Sequence, residues 1–134
     1  GVEPFLIANS VICAAAQRLM RKVCQFCKAP HELSKDVIRR SGIDAKVLKD
    51  VTAYKGKGCA KCNNTGYFGR IPTVEVLTVS QAIRELVIQL RSSDAIHEVA
   101  VKEGMETLFE NAFGLFKKGL TTLEEVLRVS SQES

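Results

Sequence analysis

The sequence predicts a mainly helical chain with a short β segment, built as a tetracysteine metal-binding lobe followed by a small helical bundle. Three observations carry this expectation. Two C-x-x-C pairs, Cys24–Cys27 and Cys59–Cys62, stand 31 residues apart. Apolar residues recur at helical spacing from residue 80 to 129, and one stretch, 67–78, alternates instead in the manner of a strand. With 134 residues, 46% hydrophobic and 25% charged, the chain has the composition of one ordinary globular domain or two small lobes. Its apolar content argues against disorder, and no apolar run approaches the roughly 18 to 20 residues that span a bilayer. Nothing near Gly1 has the basic start, greasy core and small-residue cleavage site of a secretory signal, and the chain reads as a fragment.

The first element expected is a helix over much of residues 4–23, from Pro4 through Ala14-Ala15-Ala16 to Leu19, Met20 and Val23. Its start is open, because Phe5-Leu6-Ile7 can instead finish a strand and leave Asn9 or Ser10 as the N-cap. Between the cysteine pairs, Ser34 and Gly42 bracket Lys35–Arg40 as the cap and stop of a short helix, and Asp44 starts a second that reaches about Asp50. This insertion has too few apolar residues for its own core, so a metal must supply much of its folding energy. Tyr67–Thr78 follows as a strand interrupted at Pro72, with Val74, Val76 and Thr78 on one face and Glu75 and Leu77 on the other.

From Ser80 the period lengthens: Ile83, Leu86, Val87 and Leu90 mark one helical face. Ser93 or Asp94 then caps a helix containing Ile96, Val99 and Ala100, and Gly104 ends it. Met105, Leu108, Phe109, Ala112, Phe113 and Phe116 stripe a third helix that stops at Gly119. Thr122 and Glu125 form a capping box for the last, through Leu127 and Val129. The phenylalanines at this spacing are core residues, and His97 lies on a helix surface.

The cysteines carry the chemistry. Each C-x-x-C pair can curl around one edge of a tetrahedral Zn²⁺, and four thiolates close the coordination shell, which makes the metal structural. A disulfide framework and a thioredoxin-like redox pair are the rival readings; the missing secretory signal opposes the first, and the second needs only one pair. Gly58 before the second pair and Asn63-Asn64-Thr65-Gly66 after it tolerate left-handed backbone, which lets amides point at sulfur. Pro30 prevents a helix from continuing out of the first pair, and Lys22, Lys28 and Lys61 stand near the sulfurs in sequence. His31 is not needed as a ligand, and Cys13 reads as a small buried side chain.

Charge is uneven. Residues 1–70 carry 13 Lys and Arg against 5 Asp and Glu, and residues 71–134 carry 6 against 10, so the halves stand near +8 and −4. A basic half can face phosphate, anionic lipid or an acidic protein surface. With no Trp and 6% aromatic residues, a base-stacking nucleic-acid surface is the runner-up. No G-x-x-x-x-G-K-[ST] loop and no paired nucleophile and base occur, so the chain has no phosphate cradle or catalytic constellation of its own. Arg18, Arg21 and Arg70 are candidates to reach a nucleotide bound by another domain, or ordinary surface residues.

Several segments taken together resemble one family. They are Gly1-Val-Glu-Pro-Phe-Leu-Ile-Ala8, Ala16-Gln-Arg-Leu-Met-Arg-Lys-Val-Cys24 with Cys27, Gly58–Arg70 with its Thr-Gly-Tyr-x-Gly-Arg, Glu75-Val-Leu77, Lys102-Glu-Gly-Met-Glu-Thr-Leu108 and Gly119-Leu-Thr-Thr-Leu-Glu-Glu-Val-Leu-Arg-Val129. The combination is similar to the secretion traffic ATPases of type II secretion and type IV pilus assembly. The resemblance implies a noncatalytic C-terminal piece of a cytoplasmic hexameric motor at the inner membrane, with ATP and Mg²⁺ bound only by the full-length parent. On that comparison residues 1–23 are the end of a RecA-like motor domain, 24–66 the zinc-binding lobe with Cys24, Cys27, Cys59 and Cys62 as ligands, and 67–134 a strand plus helical C-terminal region. The implied partners are the rest of the motor and an inner-membrane platform protein; if the basic half is the docking face, charge reversal at Arg39 and Arg40 weakens that binding. The sequence departs from the family pattern at Ile71-Pro72-Thr73, which bears on strand register, and at Cys13.

Overall fold

A computed structural model of the chain describes residues 1–130. In chain order its elements are α1 (Pro4–Ser10), β1 (Cys13–Val23), β2 (Lys28–Pro30), α2 (Lys35–Ser41), α3 (Ala45–Lys49), β3 (Tyr54–Gly56) and β4 (Tyr67–Thr78), followed by α4 (Gln81–Ile88), α5 (Ser93–Lys102), α6 (Leu108–Lys117) and α7 (Leu123–Ser130). The expected class is therefore present: helices predominate, and the strands form two small two-stranded sheets, β1 with β4 and β2 with β3.

The clearest departure lies at the start. The helix expected over residues 4–23 covers only Pro4–Ser10, and the chain is already extended at Val11. The β-branched pair Val11-Ile12 favours that exit, and pairing with β4 then overrides the helix propensity of the alanine run. Along β1 the half-buried Arg18, buried Met20 and half-buried Lys22 alternate with the exposed Gln17, Leu19 and Arg21. This period of two was masked upstream because Cys13 and Ala14 to Ala16 are all exposed. Cys13 is thus a surface residue, not the buried side chain expected of it.

A second correction concerns Pro72, which does not interrupt β4. In a two-stranded sheet every strand is an edge strand, so a residue without an N–H has a place to sit. Thr73 beside it is fully buried and its hydroxyl donates to the Leu108 carbonyl at 2.9 Å. Two helix bounds also shift: Ser92, not Ser93 or Asp94, caps α5, and Met105 precedes α6.

The contacts divide the chain into two units. One comprises Gly1–Ala16 and Val74–Thr107, where α1 packs on α4 and α4 on α5 around the small residues Ala8 and Ala100 and the buried Ile83. Ser80, where the period changes, caps α4 by accepting from the Ile83 amide at 3.2 Å, and His97 stands exposed 3.8 Å from Glu75. The other unit comprises Gln17–Thr73 and the residues from Leu108 onward, with α6 and α2 both packed on α7. The four helices after β4 consequently fall two to each unit; Gly104, at φ 101°, follows the end of α5, and the units divide after Thr107.

In the second unit the insertion between the cysteine pairs has no core of its own. Its Val37, Leu48 and Ala53 join Met20 of β1 and Ala112, Phe116, Leu123, Val126 and Val129 of α6 and α7 in one cluster, with Phe109 and Phe113 packed at its edge. Ser34 and Asp44 cap α2 and α3, and Gly42, at φ 69°, stops α2. Beyond them β2 pairs antiparallel with β3 in the register Lys28 to Gly56 and Pro30 to Tyr54.

Candidate metal centre

Each cysteine pair occupies a tight turn whose backbone is bent for it. Cys24 is fully buried, and its amide donates to the Gly66 carbonyl at 2.9 Å, which ties the first turn to the end of the second. The second turn needs left-handed backbone at Gly58 (φ 99°), Asn63 (φ 53°), Asn64 (φ 61°) and Gly66 (φ 81°), the residue types that tolerate it. Gly66 has a second reason to lack a side chain. A Cβ on it would stand 2.7 Å from the carbonyl oxygen of Gly56 in β3, so two backbones touch where the second turn meets the β2–β3 ladder.

This packing brings all four sulfurs of Cys24, Cys27, Cys59 and Cys62 within 4.8 Å of one another. The Cys24–Cys59 and Cys27–Cys62 sulfur separations are 3.8 Å, and Cys59–Cys62 is 3.7 Å. A tetrahedron with metal–sulfur bonds of about 2.3 Å has edges of about 3.8 Å, so the set has the size of a zinc tetrathiolate. The same separations are far beyond a disulfide bond of about 2.05 Å. His31 is not in the cluster.

Backbone amides point into the sulfurs as the turn residues foretell. The amides of Gly66 and Cys59 each donate to Cys62 Sγ at 3.3 Å, and that of Gly58 donates to Cys27 Sγ at 3.3 Å. Burial pushes the Cys62 thiol up, but these donors and its thiol neighbours outweigh it and pull the thiol down from 9.0 to about 6. Burial, opposed by one amide and reinforced by the other three thiols, pushes Cys27 up to about 12. The amide donors favour the thiolate, the form in which sulfur takes up a cation. Lys28 and Lys61, near the sulfurs in sequence, set their ammonium groups over aromatic rings, 4.4 Å from the Tyr54 ring centre and 5.7 Å from that of Phe26.

Next to the first turn lies a network that the sequence concealed. Glu125, 1% exposed, accepts from the Arg21 backbone amide and from the side chains of Arg21 and Arg128, all between 2.8 and 3.1 Å. Burial raises its carboxyl, yet the donors from Arg128 and Arg21 dominate and draw it down from 4.5 to about 2. The Glu125 hydrogen bonds in turn raise both arginines. The Arg21 guanidinium lies 4.1 Å from the Tyr67 ring centre, and the Tyr67 hydroxyl meets Thr122 Oγ1 at 2.9 Å. Only half of the expected capping box forms: Thr122 Oγ1 accepts from the Glu125 amide at 3.3 Å, while the Glu125 carboxylate is spent on the arginines. Arg128, three residues after Glu125, was the available signal for this network. Of the three arginines singled out for nucleotide, Arg21 is engaged here, Arg18 is half-buried in β1 and Arg70 is exposed on β4.

Three of the segments that carry the family resemblance meet in this unit, through Gln17–Cys24, Gly58–Arg70 and Gly119–Val129. Val23 donates to the Leu120 carbonyl at 3.0 Å, and the Thr121 hydroxyl donates to the Arg21 carbonyl at 2.9 Å, so Ala16–Cys24 is laced to Gly119–Val129. A family profile described as "Type II/IV secretion system protein" matches residues 1–128. The chain belongs to that family. Among its relatives within the type II/IV secretion system proteins, the "Type IV pilus assembly ATPase PilB" of Thermus thermophilus is 42% identical over 95% of this chain. The "Type II secretion system ATPase E" of Vibrio cholerae is 36% identical over 98% of it, and the PilB of Myxococcus xanthus is 35% identical over 95%. The chain spans 14% of the length of the first and 26% and 23% of the others. This region of a type II/IV secretion system protein contains, among the described residues, no helix long and apolar enough to cross a membrane.

Proposed function

We propose that the chain is the noncatalytic, zinc-stabilised C-terminal portion of a hexameric ATPase that powers type II protein secretion or type IV pilus assembly. The observation that carries this reading is the tetrahedral spacing of the four sulfurs within a chain of that family. Cys24, Cys27, Cys59 and Cys62 hold the ion, and bound zinc supplies a fixed crosslink between the two turns and no reaction chemistry. Residues 1–23 end the RecA-like motor domain, 24–66 are the zinc lobe, and 67–134 the strand and helical region. ATP and Mg²⁺ belong to the parent motor, because this sequence has no phosphate loop. The lobe packs on the rest of the motor or docks on the inner-membrane platform protein, on the cytoplasmic side.

Metal analysis of the purified chain, with circular dichroism before and after a strong chelator, tests the reading. The expected result is about one zinc per chain, with loss of structure on chelation. A chain that holds no metal and keeps its fold overturns the zinc assignment. Nucleotide turnover by the chain alone overturns the noncatalytic one.

A further inference from the structure

The surface beside the first cysteine turn has the composition of a contact face. Phe26, between Cys24 and Cys27, is 54% exposed, and Phe68 on β4 is 49% exposed. Their rings meet edge to face with centres 5.7 Å apart, and the Lys61 ammonium caps the Phe26 ring. Phe68 also lines a surface hollow of about 340 Å³ whose wall includes Lys22, Lys28 and Arg70 and no carboxylate. Two aromatic side chains left in water beside three cations are costly unless something covers them.

The cations are placed rather than free to wander. Lys28 is stacked on Tyr54, and Gly119 leaves the room for it: a Cβ there would stand 3.0 Å from both Lys28 Nζ and Tyr54 Cδ2. The stem of Lys22 passes 3.8 Å from where a Cβ of Gly69 would stand. Among the described residues neither Lys22 nor Arg70 makes an ion pair. Arg39 and Arg40, by contrast, are both already paired with Asp36 of their own helix, at 2.7 and 3.1 Å. Lys22 and Arg70 therefore bring positive charge with no ion-pair partner among the described residues to the wall of the hollow.

We propose that this hollow and the Phe26–Phe68 pair form a docking surface for an acidic segment of a partner protein, whose carboxylates meet Lys22 and Arg70 while an apolar side chain covers Phe68. This deepens the reading of the lobe as a docking module and rests on it. Charge complementarity selects an anionic partner. Concavity selects a peptide over a membrane, because the cations line a recess instead of ringing a protruding apolar tip that enters a bilayer. The two phenyl rings spend their contact on each other, edge to face, and offer no parallel pair of faces between which bases would stack.

The test titrates the metal-loaded, isotope-labelled chain with a peptide of alternating glutamate and leucine and follows amide chemical shifts. Controls are the same peptide with glutamine for glutamate, vesicles of phosphatidylglycerol and phosphatidylethanolamine, and a single-stranded oligonucleotide. Saturable shifts centred on Lys22, Phe68, Gly69 and Arg70 are expected with the acidic peptide only, weakening as salt is raised. The double change K22E/R70E lowers affinity about tenfold or more, and Phe68→Ser lowers it at unchanged salt dependence. The proposal is overturned by absence of saturable shifts, by shifts centred elsewhere, by unchanged affinity in K22E/R70E, or by vesicles or oligonucleotide binding the same face at least as tightly. Zinc content and helicity are measured on every sample. A variant that keeps both but binds unchanged refutes the surface alone, whereas a parent chain without zinc refutes the lobe reading beneath it.

Discussion

Two devices tie distant segments together in the second unit, and they use opposite chemistry. The cysteine cluster brings residues 24–27 and 59–62 together through four thiols which, on the proposed reading, lose protons and gain a metal. The Glu125 network joins β1 to α7, 104 residues apart in sequence, through charges that the chain supplies entirely itself. The first serves a lobe that lends its few apolar residues to a shared core; the second sits at the edge of that core, where Met20, Leu123 and Val126 are already fully buried. The contrast teaches that an external crosslink is used where burial is thin, and an internal ion network where burial is already sufficient to hold the partners in register.

Removing the metal separates the two devices most sharply. Chelation, or Cys24→Ser, should release most of the structure of residues 24–66 while α4 and α5 persist, since zinc binding in small domains is worth about 10–16 kcal/mol of folding free energy. Hydrogen exchange resolved along the chain would read this, and uniform loss of protection would mean that the units are not separable. A smaller effect is expected from Glu125→Gln, about 3 kcal/mol of stability with zinc content unchanged, measured by urea unfolding.

The same carboxylate has a pH signature that thiols do not share. Its folded value near 2 lies below the unfolded 4.5, so its contribution is fully present above pH 4.5 and fades as the pH falls through 2. The shift corresponds to about 3 kcal/mol. Comparing the stability of the parent and Glu125→Gln across that window should show the difference between them vanish at its acid end. Next in size, Gly66→Ala must adopt φ 81° and press a methyl toward the Gly56 carbonyl, for about 1–3 kcal/mol and weaker metal retention in a chelator competition. The smallest effect belongs to Cys13→Ser, within about 0.5 kcal/mol and with full zinc stoichiometry, because that residue is exposed and outside the cluster.

How much of this was legible in the sequence depends on the range of the interactions. Ser34 and Asp44 were readable as caps because each acts on an amide two or three residues away. The tetracysteine set was readable because spacing alone implies a shared ion, and Asn63, Asn64 and Gly66 announced the backbone that the second turn requires. The β1 strand was not, since Ala14 to Ala16 favour helix locally and only pairing with β4, more than forty residues later, decides otherwise. Glu125 was misread for the same reason: as the fourth residue of a Thr-x-x-Glu motif it looked local, and its principal partner proved to be Arg21.

That long reach has a consequence for the order of events during synthesis. A nascent chain that has passed Asn64 already contains every cysteine of the cluster, but the Arg21 amide still lacks its acceptor, and Met20 lacks the α6 and α7 side chains that bury it. The metal turns can therefore close while β1 remains open on one side, and α7, the last described element to emerge, acts as the latch. On the proposed reading, a chain cut short before Thr122 would bind its ion yet never finish folding.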